Sequence, residues 1–221
     1  VTVNALPFTA REFFELFGHY NVTVWPAQLL LNGIAVLIIA HVVLQERPGL
    51  VFALLALLWL WMGVVYHLAF FTTINPAARL FGVAFIAQAM FFLSYISSPT
   101  ASPRAQATLT APVGKALVAY ALVGYPLLGS LLGHHYPEVP TFGAPCPTTI
   151  FTLGILHWRR PGTPAWLAAI PLAWSGIGTA AAIQLSVPQD YGLTLAGLAT
   201  LALLVGRRRM TRDARLTPRS L

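Results

Sequence analysis

The chain has 221 residues, of which 57% are apolar and 9% charged, with 17 Gly, 17 Pro and a mean hydropathy of +0.72. Soluble domains carry about 25% charged residues, so these figures exclude a conventional water-soluble fold and point to a multi-pass membrane protein whose helices are punctuated by breakers. The formal charge of +7 marks no nucleic-acid face, because six of the thirteen basic residues crowd the last fifteen positions, and the single cysteine excludes an intrachain disulfide and a cysteine-only metal cage.

Residues 1–24 read as an N-terminal interfacial segment containing a short amphipathic helix from Pro7 to Gly18. Thr9 stands at the N-cap, Glu12 follows three residues later as a capping box, and Phe8 can staple against Phe13. Ala10, Phe13, Phe14 and Phe17 share one face, with Arg11, Glu12 and Glu15 on the other. Such a helix lies flat at the interface, its rings against lipid or the bundle mouth, as an anchor or as a lid. The apolar segment that follows is long and lacks a basic leader, which argues against a cleaved signal peptide. Asn21-Val22-Thr23 matches a glycosylation sequon, a pattern common by chance.

Residues 25–206 form the expected transmembrane domain. Trp25–Leu44, Gly49–Phe71, Leu80–Ile96, Ala116–Gly133 and Ala165–Leu185 are long enough, or nearly so, to cross roughly 30 Å of hydrocarbon. Gly192–Gly206 is a sixth span, short but strongly apolar. Cys146–Trp158 would reach only about 20 Å as a helix, so it spans obliquely or enters as a re-entrant half-helix. The expected fold class is all-α, a polytopic transmembrane helical bundle of about seven spans, with six plus a half-helix as the alternative.

The basic tail 207–221 acts as a positive-inside anchor. With seven spans the N-terminus is periplasmic and the C-terminus cytoplasmic in a bacterial inner membrane, with eleven Lys and Arg inside against Arg11 and Arg79 outside. Six spans give ten and three. On either count the N-terminal stretch, the loop Thr72–Arg79 and the loop His134–Pro147 share one side, because an even number of crossings separates each pair. Seven spans add the loop Ser186–Tyr191, with Asp190. The Ser-, Thr-, Pro- and Ala-rich stretch Ser97–Pro112 reads as a flexible cytoplasmic connection, and no internal repeat stands out.

In the second span Trp59, Met62, Tyr66 and Phe70 form one helical stripe, and Gly63 allows a neighbouring helix to approach closely. His67 is a site candidate because an unpartnered imidazole in hydrocarbon is costly; a neutral histidine bonded to another helix is the alternative. Asn75 and Pro76 are expected at the N-cap and first position of the third span. Arg79 then opposes the helix dipole, with Glu12, Glu15 or Glu138 as partner or the headgroups as refuge.

The stretch Gly133–Thr149 is the richest, offering His134, His135, Glu138 and Cys146. This mixture of donors binds zinc, copper or iron, although the spacing is that of no recognised ligand set. Pro147 can start a short helix with Thr148 and Thr152 on one stripe, their hydroxyls free for a solute or bonded back to their own carbonyls.

The expected binding residues are therefore Tyr66, His67, Arg79, Glu138 and Thr148, and the expected metal ligands are His67, His134, His135 and Cys146, holding a transition metal ion. The expected function is binding or transport of a small solute or metal ion in a periplasm-facing pocket. The alternatives are an intramembrane metal-dependent enzyme and a non-catalytic subunit or assembly factor. The expected partners are the lipid bilayer and the solute, not nucleic acid, with oligomeric state open.

The ordered set Pro7-Phe8-Thr9, Tyr20-Asn21, Trp25-Pro26, Gly63 with Tyr66-His67 and Phe70-Phe71, Ile74-Asn75-Pro76-Ala77-Ala78, and Pro145-Cys146-Pro147-Thr148-Thr149 resembles an uncharacterised bacterial family of multi-pass membrane proteins known by a domain-of-unknown-function label. The resemblance spans most of the chain and implies membrane residence. It brings no activity and no catalytic or binding residue.

Overall fold

A computed structural model describes residues 6–44, 48–96, 110–159 and 164–216, the side chains of Pro48 and of 207–216 excepted. The described chain is helical: α1 (Ala10–Val24), α2 (Ala27–Leu44), α3 (Pro48–Trp61), α4 (Ala78–Ser94), α5 (Ala111–Ala119), α6 (Tyr125–Leu131), α7 (Pro145–Trp158), α8 (Ala169–Leu185) and α9 (Tyr191–Leu216). Two π-helical stretches, Met62–Phe70 and Tyr120–Gly124, continue α3 and join α5 to α6. Ala27–Leu44, Gly49–Thr73, Ala111–Leu131 and Ala165–Leu185 are long and apolar enough to cross a membrane, and Ala78–Ser94 is apolar but shorter. Their outward faces are oily: Leu29, Leu30, Val36, Leu37, Leu80, Val83, Leu127 and Ile183 are all exposed.

Helix α7 is the axis of the bundle. It packs against α2, α5, α8 and α9, and every residue from Pro147 to Leu156 is buried. A helix apolar all round belongs in a core, which is why the shortest of the long elements faces protein instead of lipid. Polar pins fix its rotation: Trp59 Nε1 donates to Thr152 Oγ1 at 3.0 Å, and Thr152 Oγ1 donates back to the Thr148 carbonyl at 2.8 Å. Its closest neighbour is α5, where a Cβ on Gly114 would strike Trp158 N and Gly154 O. At its far end Thr110 Oγ1 donates to the His157 carbonyl at 2.9 Å, and the Arg159 guanidinium lies over Phe52, 4.3 Å from the ring centroid.

Several boundaries differ from the sequence reading. Helix α1 runs through Gly18 to Val24 because its inward stripe continues through Tyr20 and Asn21, both fully buried. Helix α4 begins at Ala78 instead of Pro76, since Asn75 Oδ1 accepts from Ala77 N at 3.0 Å and the Asn75 carbonyl from Ala78 N at 3.0 Å, making a turn ahead of the helix. Helix α5 starts at Ala111, and the remainder of the Ser97–Pro112 connection, 97–109, lies outside the described residues. The backbone of α9 continues to Leu216, into the basic tail. Arg47, Arg104, Arg160 and Arg219, and the side chains of Arg207, Arg208, Arg209, Arg212 and Arg215, also lie outside the described set.

The π-helical turn breaks the expected stripe after Tyr66. The Phe71 N–H bonds to the Tyr66 carbonyl, five residues back, as well as to that of His67. The inserted residue moves Phe71 into the buried place expected for Phe70, while Phe70 turns to α1, its ring 5.2 Å from that of Tyr20. Gly63 behaves as expected: a Cβ there would lie 3.0 Å from the Gly82 carbonyl oxygen of α4.

Candidate functional site

Helix α1 starts as its sequence prescribes. Thr9 and Glu12 form the reciprocal capping box, with Glu12 N donating to Thr9 Oγ1 at 3.2 Å and Thr9 N to Glu12 Oε2 at 2.7 Å; these bonds hold the Glu12 carboxyl below its ordinary range. Phe8 stacks on Phe13 with centroids 6.0 Å apart, the expected staple. The buried face of the helix then lies across one end of the bundle: Phe17 stacks on Tyr66 at 5.4 Å, Phe8 meets Phe71 edge-on at 5.4 Å, and Trp61 Nε1 donates to Tyr20 Oη at 2.8 Å.

Of the three stretches expected on one side, the N-terminal stretch and the 134–147 loop bond directly, and Asn75 of the 72–79 loop lines a cavity with Phe8 and Cys146. Asn21 Nδ2 donates to the carbonyls of Pro137 and Val139 at 2.6 and 2.7 Å, and Asn21 Oδ1 accepts from Gln28 Nε2 at 2.8 Å and Thr141 Oγ1 at 2.9 Å. All four hydrogen-bonding positions of the amide are filled, which leaves the sequon's buried Asn21 no free nitrogen. The His134 ring lies 4.4 Å from Phe14, and its Nδ1 is 3.0 Å from Gln189 Nε2, so the loop before α9 joins the cluster.

Beneath α1 lies a cavity of about 250 Å³. Phe8, Phe13 and Phe17 form its α1 wall, Tyr66 and Phe71 continue it, Phe81 and Trp174 stand on α4 and α8, and Ile177, Ala181 and Gln184 border it on α8. Its polar groups are few: Asn75, Gln184, the N-terminal turn of α7 with Cys146, and Asp190. Asp190 is only 3% exposed. Tyr125 Oη donates to Asp190 Oδ1 at 2.5 Å, and the Cys146 thiol donates to the same carboxylate. Burial pushes the Asp190 carboxyl up from an ordinary 3.8 to about 6, with those two hydrogen bonds pulling it partly back. Trp174 Nε1 is buried without an oxygen partner, on the same side of Gly178 as Cys146 Sγ.

Of the expected binding residues, Tyr66 lines this cavity. His67 sits one layer behind its wall, fully buried, enclosed by Phe71, Phe81, Phe85 and Trp174 at centroid distances of 4.5 to 5.8 Å, with neither ring nitrogen bonded. Thr148 is buried and committed to the turn before α7, its Oγ1 accepting from Gly143 N at 3.0 Å where Gly143 has φ +98° over Leu31. Arg79 and Glu138 are exposed and line no part of the cavity, Glu138 covering Gly18 instead.

The expected metal set does not assemble. His134 is held by Gln189 and Phe14, His135 is exposed with Nδ1 3.4 Å from Ser130 Oγ, Cys146 faces Asp190, and His67 is walled in by rings. Among the described residues no group of three or more His, Cys, Asp or Glu is placed to hold a metal ion.

Tyr125 and Trp174 are site residues that the sequence does not single out, and Asp190, placed on the shared side under seven spans, is not among the expected binding residues. Asp190 had a signal: it is the one acid between Glu138 and Asp213, a rare type in an apolar stretch. No curated protein and no solved structure matches the chain. Residues 10–215 match the model of DUF6064, a family of unknown function, and the chain belongs to that family.

Proposed function

We propose that the chain is a seven-span membrane protein that binds a small, largely apolar molecule in the cavity under α1, with α1 as its periplasmic lid. The observation that carries the reading is the cavity itself: seven aromatic rings and a handful of convergent polar groups around about 250 Å³. Ligand sites are typically apolar hollows with few well-placed polar groups, and an apolar cavity of about 150 Å³ already accepts benzene. The seventh crossing is supported by α7, which begins at the cavity and ends beside Thr110 and Phe52 at the start of α5 and α3. With the basic tail inside, α1 lies outside.

Binding is favoured over transport, because a path to the other face would have to open through α7, where Pro147 to Leu156 are all buried. Cys146 gives a direct test, being the sole cysteine and a lining residue. Methyl methanethiosulfonate, a small neutral thiol reagent, should modify the detergent-solubilised protein at Cys146, and indole should slow the reaction in a saturable way. Ala181→Trp, which fills the cavity, should slow it without indole. Modification that indole leaves unchanged, in a protein whose Ala181→Trp variant reacts equally fast, would refute the reading.

A further inference from the structure

The cavity pairs two features that call for the same kind of guest. Asp190 is buried with two hydrogen-bond donors and no cationic partner among the described residues, whose recorded ion pair is the surface pair Arg11–Glu15. A buried carboxylate without a counter-charge is unfavourable, and a bound cation offsets that. The walls facing it are aromatic. Phe8, Phe13, Phe17, Tyr66 and Phe71 form a linked belt with neighbouring centroids 5.0 to 6.0 Å apart, and ring faces attract cations, most strongly where water is excluded.

The helix ends decide the sign of the local field. The N-terminal turns of α7 and of α9, which starts at Tyr191 directly after Asp190, each bring roughly +0.5 of an elementary charge and the C-terminal turn of α8, Ala181 to Leu185, roughly −0.5, so the ends together offset about half of the Asp190 charge and leave the local field negative. Trp174 Nε1 has only the weak acceptor Cys146 Sγ beside it and no oxygen partner, which leaves it able to donate to an oxygen acceptor close to the cationic centre.

We propose that the occupant of this cavity carries a compact ammonium group, held between the Asp190 carboxylate and the aromatic belt, with a neighbouring oxygen accepting from Trp174. The proposal rests on the reading that the cavity binds a ligand and specifies its chemistry. The mouth is bordered by Ile177, Ala180 and Gln184, exposed on the outer surface of α8, so the ammonium group arrives either on a free solute or on a lipid headgroup.

Choline and its neutral isostere 3,3-dimethylbutan-1-ol separate charge from shape. With the full chain in phosphatidylglycerol nanodiscs, choline should protect Cys146 from methyl methanethiosulfonate at a concentration about tenfold lower than the isostere, a difference of about 1.4 kcal/mol. Asp190→Asn should abolish the preference, which also controls for choline gathered by the anionic lipid. Phe17→Leu should weaken choline more than the isostere, and serves if the Asp190 variant does not fold.

Equal protection by the two compounds, or better protection by the isostere, would overturn the proposal. Protection by indole but not by choline would overturn it while leaving the binding reading intact, and protection by none of the three would remove both. Transfer to phosphatidylethanolamine nanodiscs identifies the source: choline protection that disappears there assigns the site to the headgroup amine, and unchanged protection assigns it to a free cation.

Discussion

Replacing Asp190 by Asn gives the sharpest test of how the buried carboxylate is held. Its carboxyl is raised from 3.8 to about 6 by burial, so the fold favours the protonated form. A raised acid contributes stability that is fully present below about pH 3.8 and lost as pH rises through about 6. At about 1.4 kcal/mol per unit, the shift corresponds to about 3 kcal/mol between those limits. For a chain of this size that is about 6 to 12 °C in Tm.

The assay is the Tm of both proteins in dodecylmaltoside from pH 4 to 7.5, taking wild type minus Asp190→Asn at each pH. Glu12, lowered by its capping bonds, acts in the opposite sense, its contribution falling as pH drops below its ordinary 4.5. It is present in both proteins and cancels. The difference should decline steadily between pH 4 and about 6.5 and then level off. A difference that is flat, or that grows with pH, would refute the account of Asp190 as a desolvated carboxyl.

Other perturbations test the frame around the site. Asn21→Ala leaves the Pro137 and Val139 carbonyls without their donor, while Gln28 and Thr141 keep their own bond at 3.4 Å; at about 1–3 kcal/mol for each buried group unpaired, it should lower stability by at least about 2 kcal/mol, with faster amide exchange in 134–142 as the local readout. Gly114→Ala puts a methyl against the α7 backbone and should destabilise by about 1–3 kcal/mol or more, measured as Tm. His67→Phe replaces an imidazole with no hydrogen bond by a ring of similar shape. It should leave Tm unchanged or raise it, and a drop of several degrees would mean that the imidazole has a partner in the working protein.

The parts of the fold visible in the sequence were those set by local chemistry or by counting. Thr9, Glu12 and the Phe8–Phe13 staple act within five residues of one another, and parity put α1 and the 134–147 loop on one side, where they do bond, while Gln189 joined that side only on the seven-span count. The Gly63 approach was visible because a missing side chain has one common use inside a bundle. The π-helical turn was hidden, since Tyr66 to Phe71 reads as an ordinary amphipathic run and only tertiary packing selects the five-residue bond. The metal set failed for a related reason. A shared side restricts residues to a surface, and whether His134 turns to Cys146 or to Gln189 is decided by neighbours that spacing does not reveal. Asp190 was visible as a rare acid, but its partners Tyr125 and Cys146 lie 65 and 44 positions away in the chain.

The all-round burial of α7 bears on how the protein is inserted during synthesis. At 14 residues it reaches about 21 Å, short of the roughly 30 Å that lipid alone would demand, so on the proposed seven-span reading the nascent segment gains its place from the Gly114 seam of α5 and from α8 and α9 arriving after it. A chain halted soon after Trp158 should therefore leave Cys146 and its flanks on the translation side or in the interface, and extension through Leu216 should draw the segment across. Thiol labelling of stalled chains from either side would reveal the moment at which the crossing is made.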